Sequence, residues 1–362
     1  MQAPAPPSPP QSLGKLPAVA QWIVLLLVSL VFAAILEFAG MPAAMLIGPM
    51  LAAILAGTNG ATVRVPSYGF AGSQALVGCL VAASLSPAIF ATFLPEWPLF
   101  IGVVTATLVA SSFLGWFISR FKILPGTTAV WGSAPGGATA MVLMAGAFGA
   151  DARLVAFMQY LRVIFVSISA AMIARLWVDT SGVEAPPGIW FPAIEWPAFA
   201  ATLAIAAAGG FAGRLLRLPS PYFLGAAILG AIIHLGLGAP MQLPVWLLGT
   251  SYMLIGWAIG LNFTRAILHH AARALPQIVG SIVALMSFCG GLAWLLSHEL
   301  GIDPLTAYLA TSPGGMDSVA IIAVGSDSVD LSFVMALQSA RLVIVLALGP
   351  SLARLVARWI KT

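Results

Sequence analysis

TAVWGSAPGGAT, residues 128–139, recurs as TAYLATSPGGMD, residues 306–317. Each copy lies inside an apolar stretch and carries Pro-Gly-Gly near its middle, where proline removes a backbone donor and two glycines weaken helix propensity. A helical segment interrupted at the same place in two halves of one chain is the feature from which the fold can be read.

The match extends outward on both sides at a nearly constant offset of 177 to 179 residues. Pro42-AAMLI-Gly48 lies over Pro219-SPYFL-Gly225, and Ser73-QALVG-CLVAAS lies over Ser251-YMLIG-WAIGLN. Asp151-ARLVAFMQYLRV then matches Asp330-LSFVMALQSARLV, with Asp151, Gln159 and Arg162 spaced as Asp330, Gln338 and Arg341. Chance similarity between two Ala/Leu-rich halves would keep apolar positions and not these polar ones, so the chain is an internal duplication.

Lipid must be the solvent for most of this chain. Of 362 residues, 60% are hydrophobic and 7% charged, and the mean hydropathy is +1.03. A soluble domain has about a quarter charged residues. The 15 Lys and Arg lie scattered at segment ends instead of forming a basic stripe, so nucleic acid is not an expected partner. Cys79 and Cys289 sit in apolar runs and suggest neither a disulfide framework nor a metal site. Residues 1–17 are too Pro-rich for a helix and read as a disordered tail.

Six hydrophobic segments are expected in each copy: 21–40, 42–57, 68–92, 97–120, 126–149 and 152–177, then 197–217, 219–238, 244–270, 275–298, 303–325 and 330–360. If the fifth, broken segment re-enters, Lys15, Arg64, Arg120, Lys122, Arg153, Arg214, Arg217, Arg265, Arg273, Arg354, Arg358 and Lys361 fall on the cytoplasmic side. Glu96, the Asp179–Glu184–Glu195 loop and the Glu299–Asp303 loop fall outside, with Arg175 the exception. A full crossing would instead put the acidic central loop inside. An odd number of crossings turns the second copy upside down.

The expected fold is therefore an all-α polytopic membrane protein of two inverted repeats, with roughly ten crossing helices plus two broken or re-entrant Pro-Gly-Gly segments. Its parts are a tail at 1–17, repeat 1 at 18–178, an external linker at 179–196 and repeat 2 at 197–362. The location expected is a membrane, with both termini cytoplasmic.

The paired segments SAPGGATAMVLMAGAFGAD (133–151) and SPGGMDSVAIIAVGSD (312–327), with the Gln-x-x-Arg helices after them, resemble the AbrB duplication family of bacterial membrane proteins. The resemblance covers roughly residues 20–360. It implies a membrane protein of the kind labelled either a regulator of gene expression or an ammonia monooxygenase. The sequence departs from both labels: a soluble DNA-binding domain is missing, and His234, His269, His270 and His298 are not spaced with carboxylates as a copper or iron site needs. More distantly, the chain is similar to organic-anion symporters with paired re-entrant loops.

Inverted repeats with interrupted helices characterise secondary transporters, whose site lies where the breaks meet. The expected function is thus transport of a small organic solute, an anion by preference, with no enzymatic activity and no cofactor beyond Na⁺ or H⁺ coupling. The alternatives are a membrane-embedded ligand-binding regulator that moves nothing and, last, a membrane monooxygenase. The partners are the small-molecule substrate, the lipid bilayer and, as a candidate, a second copy of the chain.

The substrate-binding candidates surround the breaks: Ser133, Pro135, Gly136, Gly137 and Thr139 in one copy, Thr311, Ser312, Pro313, Gly314, Gly315, Asp317 and Ser318 in the other. Half-helix N-termini there offer free N–H groups to an anion, and carbonyls before the break could hold Na⁺. Asp317 stands where the first copy has Thr139; it is either a coupling-ion ligand or proton carrier, or a helix cap. Gln159 and Arg162, like Gln338 and Arg341, share one helix face near mid-bilayer. Each Arg either binds the negative end of a substrate or caps the carbonyls of a broken helix. Asp151 and Asp330 read as helix N-caps. Gln74, with Tyr252 and Asn262 in the matching copy, either borders the cavity or bonds between helices.

Overall fold

The computed structural model describes residues 13–39, 41, 43–85, 95–121, 124–177, 190–314 and 329–361. Within them the protein is all-helical: α1 (Ala18–Phe38), α2 (Ala44–Thr58), α3 (Ser67–Ala83), α4 (Trp97–Arg120), α5 (Thr128–Ser133), α6 (Ala138–Ala147), α7 (Ala152–Trp177), α8 (Trp196–Leu215), α9 (Pro221–Leu237), α10 (Val245–Gly260), α11 (Arg265–Leu300), α12 (Pro304–Thr311) and α13 (Leu331–Lys361).

Length and apolarity let six of these cross a bilayer: α1, α4, α7 over Ala152–Ser169, α8, α11, and α13 over Leu331–Val356. The helices α2, α3, α9 and α10 are apolar but only 15 to 17 residues long. They can be short because their neighbours are other helices, which they approach backbone to backbone through glycine. A Cβ at Gly225 would lie 2.0 Å from Gly209 O, and one at Gly48 would lie 2.5 Å from Ala33 N.

Packing pairs the two copies across one another. Helix α3 of the first copy lies on α9 of the second, with Gly78 against Phe223 O, while α10 of the second lies on α2 of the first, with Gly256 against Leu46 O. These are corresponding positions in the two copies. Helices α1–α3 and α8–α10 thus form one group. A second group joins α4–α7 to α11–α13, again with α4 on α13 and α11 on α7. The seam between the groups is apolar: Leu46, Ile47, Phe223, Ile255 and Ile259 pack in one buried cluster with Met141, Leu143 and Val155.

One boundary differs from the sequence expectation. Residues 244–270 and 275–298 read as separate segments, but α10 stops at Gly260 and α11 runs unbroken from Arg265 to Leu300. Thr264 starts it, its hydroxyl accepting from Ile267 N at 3.3 Å. The first turns are amphipathic, with Ala271 and Ala274 buried and Arg265, His269, His270 and Arg273 exposed. At 36 residues, roughly 54 Å at ~1.5 Å each, α11 outruns a ~30 Å hydrocarbon core and carries those charges beyond it. The segment expected at 68–92 ends as a helix at Ala83, and 86–94 lie outside the described residues.

Candidate functional site

The first Pro-Gly-Gly segment folds back on itself. Helix α5 runs to Ser133, the chain breaks at 134–137, and α6 returns, so that Asp151 N donates to Thr128 Oγ1 at 3.2 Å. The two arms are also joined by Trp131 stacked on Phe148, ring centroids 5.5 Å apart. The second copy ties its own ends in the same way, Asp330 N donating to Thr306 Oγ1 at 3.1 Å. Asp151 and Asp330 then start the next helices, accepting from Arg153 N and Phe333 N at 3.0 Å each.

The breaks free backbone carbonyls inside the protein, where an unpaired one costs ~1–3 kcal/mol. The buried Gln-Arg pairs answer that need. Arg162 donates from Nη1 to Ala134 O at 2.7 Å and from Nη2 to Gly136 O at 3.3 Å and Gln159 Oε1 at 2.7 Å. Gln159 Nε2 donates to Trp131 O at 2.8 Å and Ala134 O at 3.0 Å. The second copy repeats this atom for atom: Arg341 Nη1 to Ser312 O at 2.7 Å, Nη2 to Gly314 O at 3.4 Å and to Gln338 Oε1, and Gln338 Nε2 to Leu309 O at 2.8 Å. Of the two roles open to these arginines in the sequence, carbonyl capping is the one their terminal nitrogens perform here. Both Nε atoms are buried without a hydrogen-bond partner, as is Ser133 Oγ.

The first break sits on the helix that carries the second arginine. A Cβ at Gly136 would lie 3.0 Å from Val345, and one at Gly137 3.3 Å from Leu342, both on α13. Among the hydroxyls expected at the site, Thr311 bonds Cys289 O at 3.1 Å and Ala307 O at 2.9 Å, Ser312 bonds Leu309 O at 3.2 Å, and Thr139 pairs with the Tyr160 hydroxyl at 3.1 Å. Pro135 and Pro313 stand at the two breaks. Gly315, Asp317 and Ser318 lie outside the described residues.

Two cavities open where the ends of the Pro-Gly-Gly segments are tied, one in each copy. The larger, of about 1120 Å³, lies between the helix groups and reaches Thr128 and Asp151; its polar lining includes Arg64, Gln74, Arg153, Ser220 and Asn262. The smaller, of about 580 Å³, reaches Thr306 and Asp330 and is lined also by Glu96 and Asp303. The first is lined by two arginines and one aspartate, the second by three carboxylates and no cation. Arg153 bridges the seam beside the larger cavity, bonded to Asp151 at 2.8 and 2.9 Å and to Asn262 O at 2.9 Å. Burial alone would raise the Asp151 carboxyl, but the hydrogen bonds and charge of Arg153 outweigh it and hold it below the ordinary carboxylate range.

Of the residues for which the sequence left two roles open, Gln74, Tyr252 and Asn262, Gln74 and Asn262 line the larger cavity while Gln74 also bonds Ser220 at the start of α9; Arg64 and Ser220 were not singled out. Arg64 read as a loop charge, and only the fold places that loop beside the α9 N-terminus.

The sequence matches the family described as "Transition state regulatory protein AbrB" over residues 45–357. It is 43% identical over 342 residues to an Escherichia coli K12 protein named "Putative regulator AbrB", covering 94% of this chain and 98% of that one. It is 28% identical over 298 residues to "Uncharacterized protein YhjN" of Bacillus subtilis 168, covering 78% of this chain and 77% of the other. With the doubled Pro-Gly-Gly motif, the match over most of its length and this degree of identity, the chain belongs to the AbrB family.

Proposed function

We propose that this protein is a secondary transporter for a small organic anion, working by alternating access between the two helix groups. The observation that carries the reading is the folded-back first Pro-Gly-Gly segment, together with the matching tie between Thr306 and Asp330 at the ends of the second, each beside its own cavity and with the first break packed against the arginine helix of the second copy. Interrupted helices at the meeting point of a duplicated fold are the places where transporters hold substrates and coupling ions.

In this reading α1–α3, α8–α10 and four of the long helices of the other group cross the membrane, ten in all, and the two hairpins re-enter from opposite faces. The basic cavity opens to the cytoplasm and the acidic one to the outside, in keeping with Arg64, Arg153 and Arg265 on one side and Glu96 and Asp303 on the other. The termini are then cytoplasmic and the membrane is the bacterial inner one. The substrate meets the break residues: the uncapped N-terminus of α6 at Gly137, the free hydroxyl of Ser133, and the counterparts at Thr311–Ser318. The Arg162 and Arg341 guanidiniums hold the break open by capping its carbonyls and lend it positive potential. Asp317 is the group for Na⁺ or H⁺ coupling.

Purified protein in liposomes, offered labelled mono- and dicarboxylates under Na⁺ or pH gradients, should accumulate at least one of them above equilibrium. Saturable binding without accumulation would sink the transport reading. It would favour the second one, a ligand-binding membrane regulator, to which the regulator name of the Escherichia coli relative points.

A further inference from the structure

We infer that the 1120 Å³ cavity is itself an anion-recognition site, with Arg64 as its cation and the Gln74 amide as its neutral donor. This deepens the transport reading and rests on it for the identity of the ligand as a soluble solute. The deep arginines cannot be the first contact for an anion, because their terminal nitrogens are held by Ala134, Gly136, Ser312 and Gly314 carbonyls.

Arg64 is different. Its hydrogen bonds go to the carbonyls of its own loop, Ala61 O at 2.9 Å and Val63 O at 2.7 Å, which fix the side chain without cancelling its charge. Among the described residues the only ion pair is Arg153–Asp151, so the one carboxylate lining this cavity is already matched. The cavity therefore carries one uncompensated positive charge. Gln74 adds a donor: Ser220 Oγ donates to its Oε1 at 3.4 Å, which turns the amide NH₂ to the other side, where no described group accepts from it. Helices α3 and α9 both begin here, and neither has a side-chain cap, so two helix N-termini add positive potential to the same space. The apolar balance of the lining, Phe70 and Leu143 among it, suits a small carboxylate with a hydrocarbon body better than a bare inorganic ion.

The test needs no knowledge of the substrate. Ala71 lines the cavity one turn before Gln74, and both native cysteines are buried. In nanodiscs of phosphatidylcholine, Ala71→Cys is reacted with a sulfonate-bearing and a trimethylammonium-bearing methanethiosulfonate, each rate divided by that with free thiol. The sulfonate reagent should be favoured. Arg64→Gln should lower the ratio on the order of tenfold, Arg64→Glu should reverse it, and Arg64→Lys should retain it. No sulfonate preference in Ala71→Cys, or a preference unmoved by the Gln and Glu substitutions, overturns the inference. A preference abolished by adding phosphatidylglycerol means that a lipid headgroup fills the site and overturns the soluble ligand. Transport is judged separately: flat uptake with the preference intact sinks only the transporter, and uptake without the preference sinks only this site.

Discussion

At the residue scale the decisive fact is that, among the described residues, two arginines are held in the protein interior by carbonyls and not by carboxylates. Replacing Arg162 by Met removes the charge, takes the guanidinium donor from Gly136 O and Gln159 Oε1, and leaves Ala134 O with the Gln159 amide alone. At ~1–3 kcal/mol for each such loss, partly offset by the relief of a buried charge, a net loss of about 2–4 kcal/mol is expected. Arg341→Met should cost a similar amount, since its partners are the same carbonyls one copy later. Lysine should rescue neither, lacking the fork. Unfolding of the detergent-solubilised variants measures this, and a wild-type midpoint for either one would contradict it. Asp151 makes a different, pH-dependent prediction. Arg153 holds its folded pKa below the unfolded value of ~3.9, so its contribution is present above that value and lost as pH falls through the lower folded one. Asp151→Asn can still accept from Arg153 N. It should be less stable than the parent protein at neutral pH, with a gap that closes in acid; a gap independent of pH would count against the ion pair.

At the element scale, glycine position decides between close approach and free surface. Gly225 on α9 meets Gly209 O, backbone against backbone, so Gly225→Ala must push α8 and α9 apart and should prevent folding or cost several kcal/mol. Gly280 on α11 has nothing within 4 Å, and Gly280→Ala should be neutral or stabilising by up to ~1 kcal/mol through helix propensity. Expression and unfolding temperature of the two variants separate the cases, and equal behaviour would contradict the packing described. The sequence carried the elements well wherever polarity or repetition marked them. The duplication, the broken helices and the caps at Asp151 and Asp330 were all legible, because Asp, Gln, Arg, Pro and Gly stand out against an Ala/Leu background. The start of α11 was not, because Arg265, His269, His270 and Arg273 look like loop charges until Ala271, Ala274 and Ile278 are seen to lie on one buried face. Nor was the role proposed for Arg64, since its charge gains meaning only from helices 10 and 156 residues away, at Gln74 and Ser220.

At the scale of the molecule, the question is whether the two hairpins enter from opposite faces. Ala150 and Val329 are equivalent residues, each just before the Asp that ties its hairpin shut, and each is partly exposed. Beside Ala150 lies the cavity with Arg64 and Arg153; beside Val329 lies the one with Glu96 and Asp303. In the proposed topology the positive-inside tendency would put the first pair in the cytoplasm and leave the acidic pair outside. A duplicated unit with an odd number of crossings has no other choice, because its second copy must start on the face where the first did not. Ala150→Cys and Val329→Cys, labelled in intact cells with a membrane-impermeant maleimide, should therefore differ: Val329→Cys reacts at once, and Ala150→Cys only after the membrane is opened. The buried Cys79 and Cys289 should stay silent in both. Labelling of both sites from the same side would make the repeats parallel. It would put both cavities on one face, and with them would go the alternation of access on which the transport reading depends.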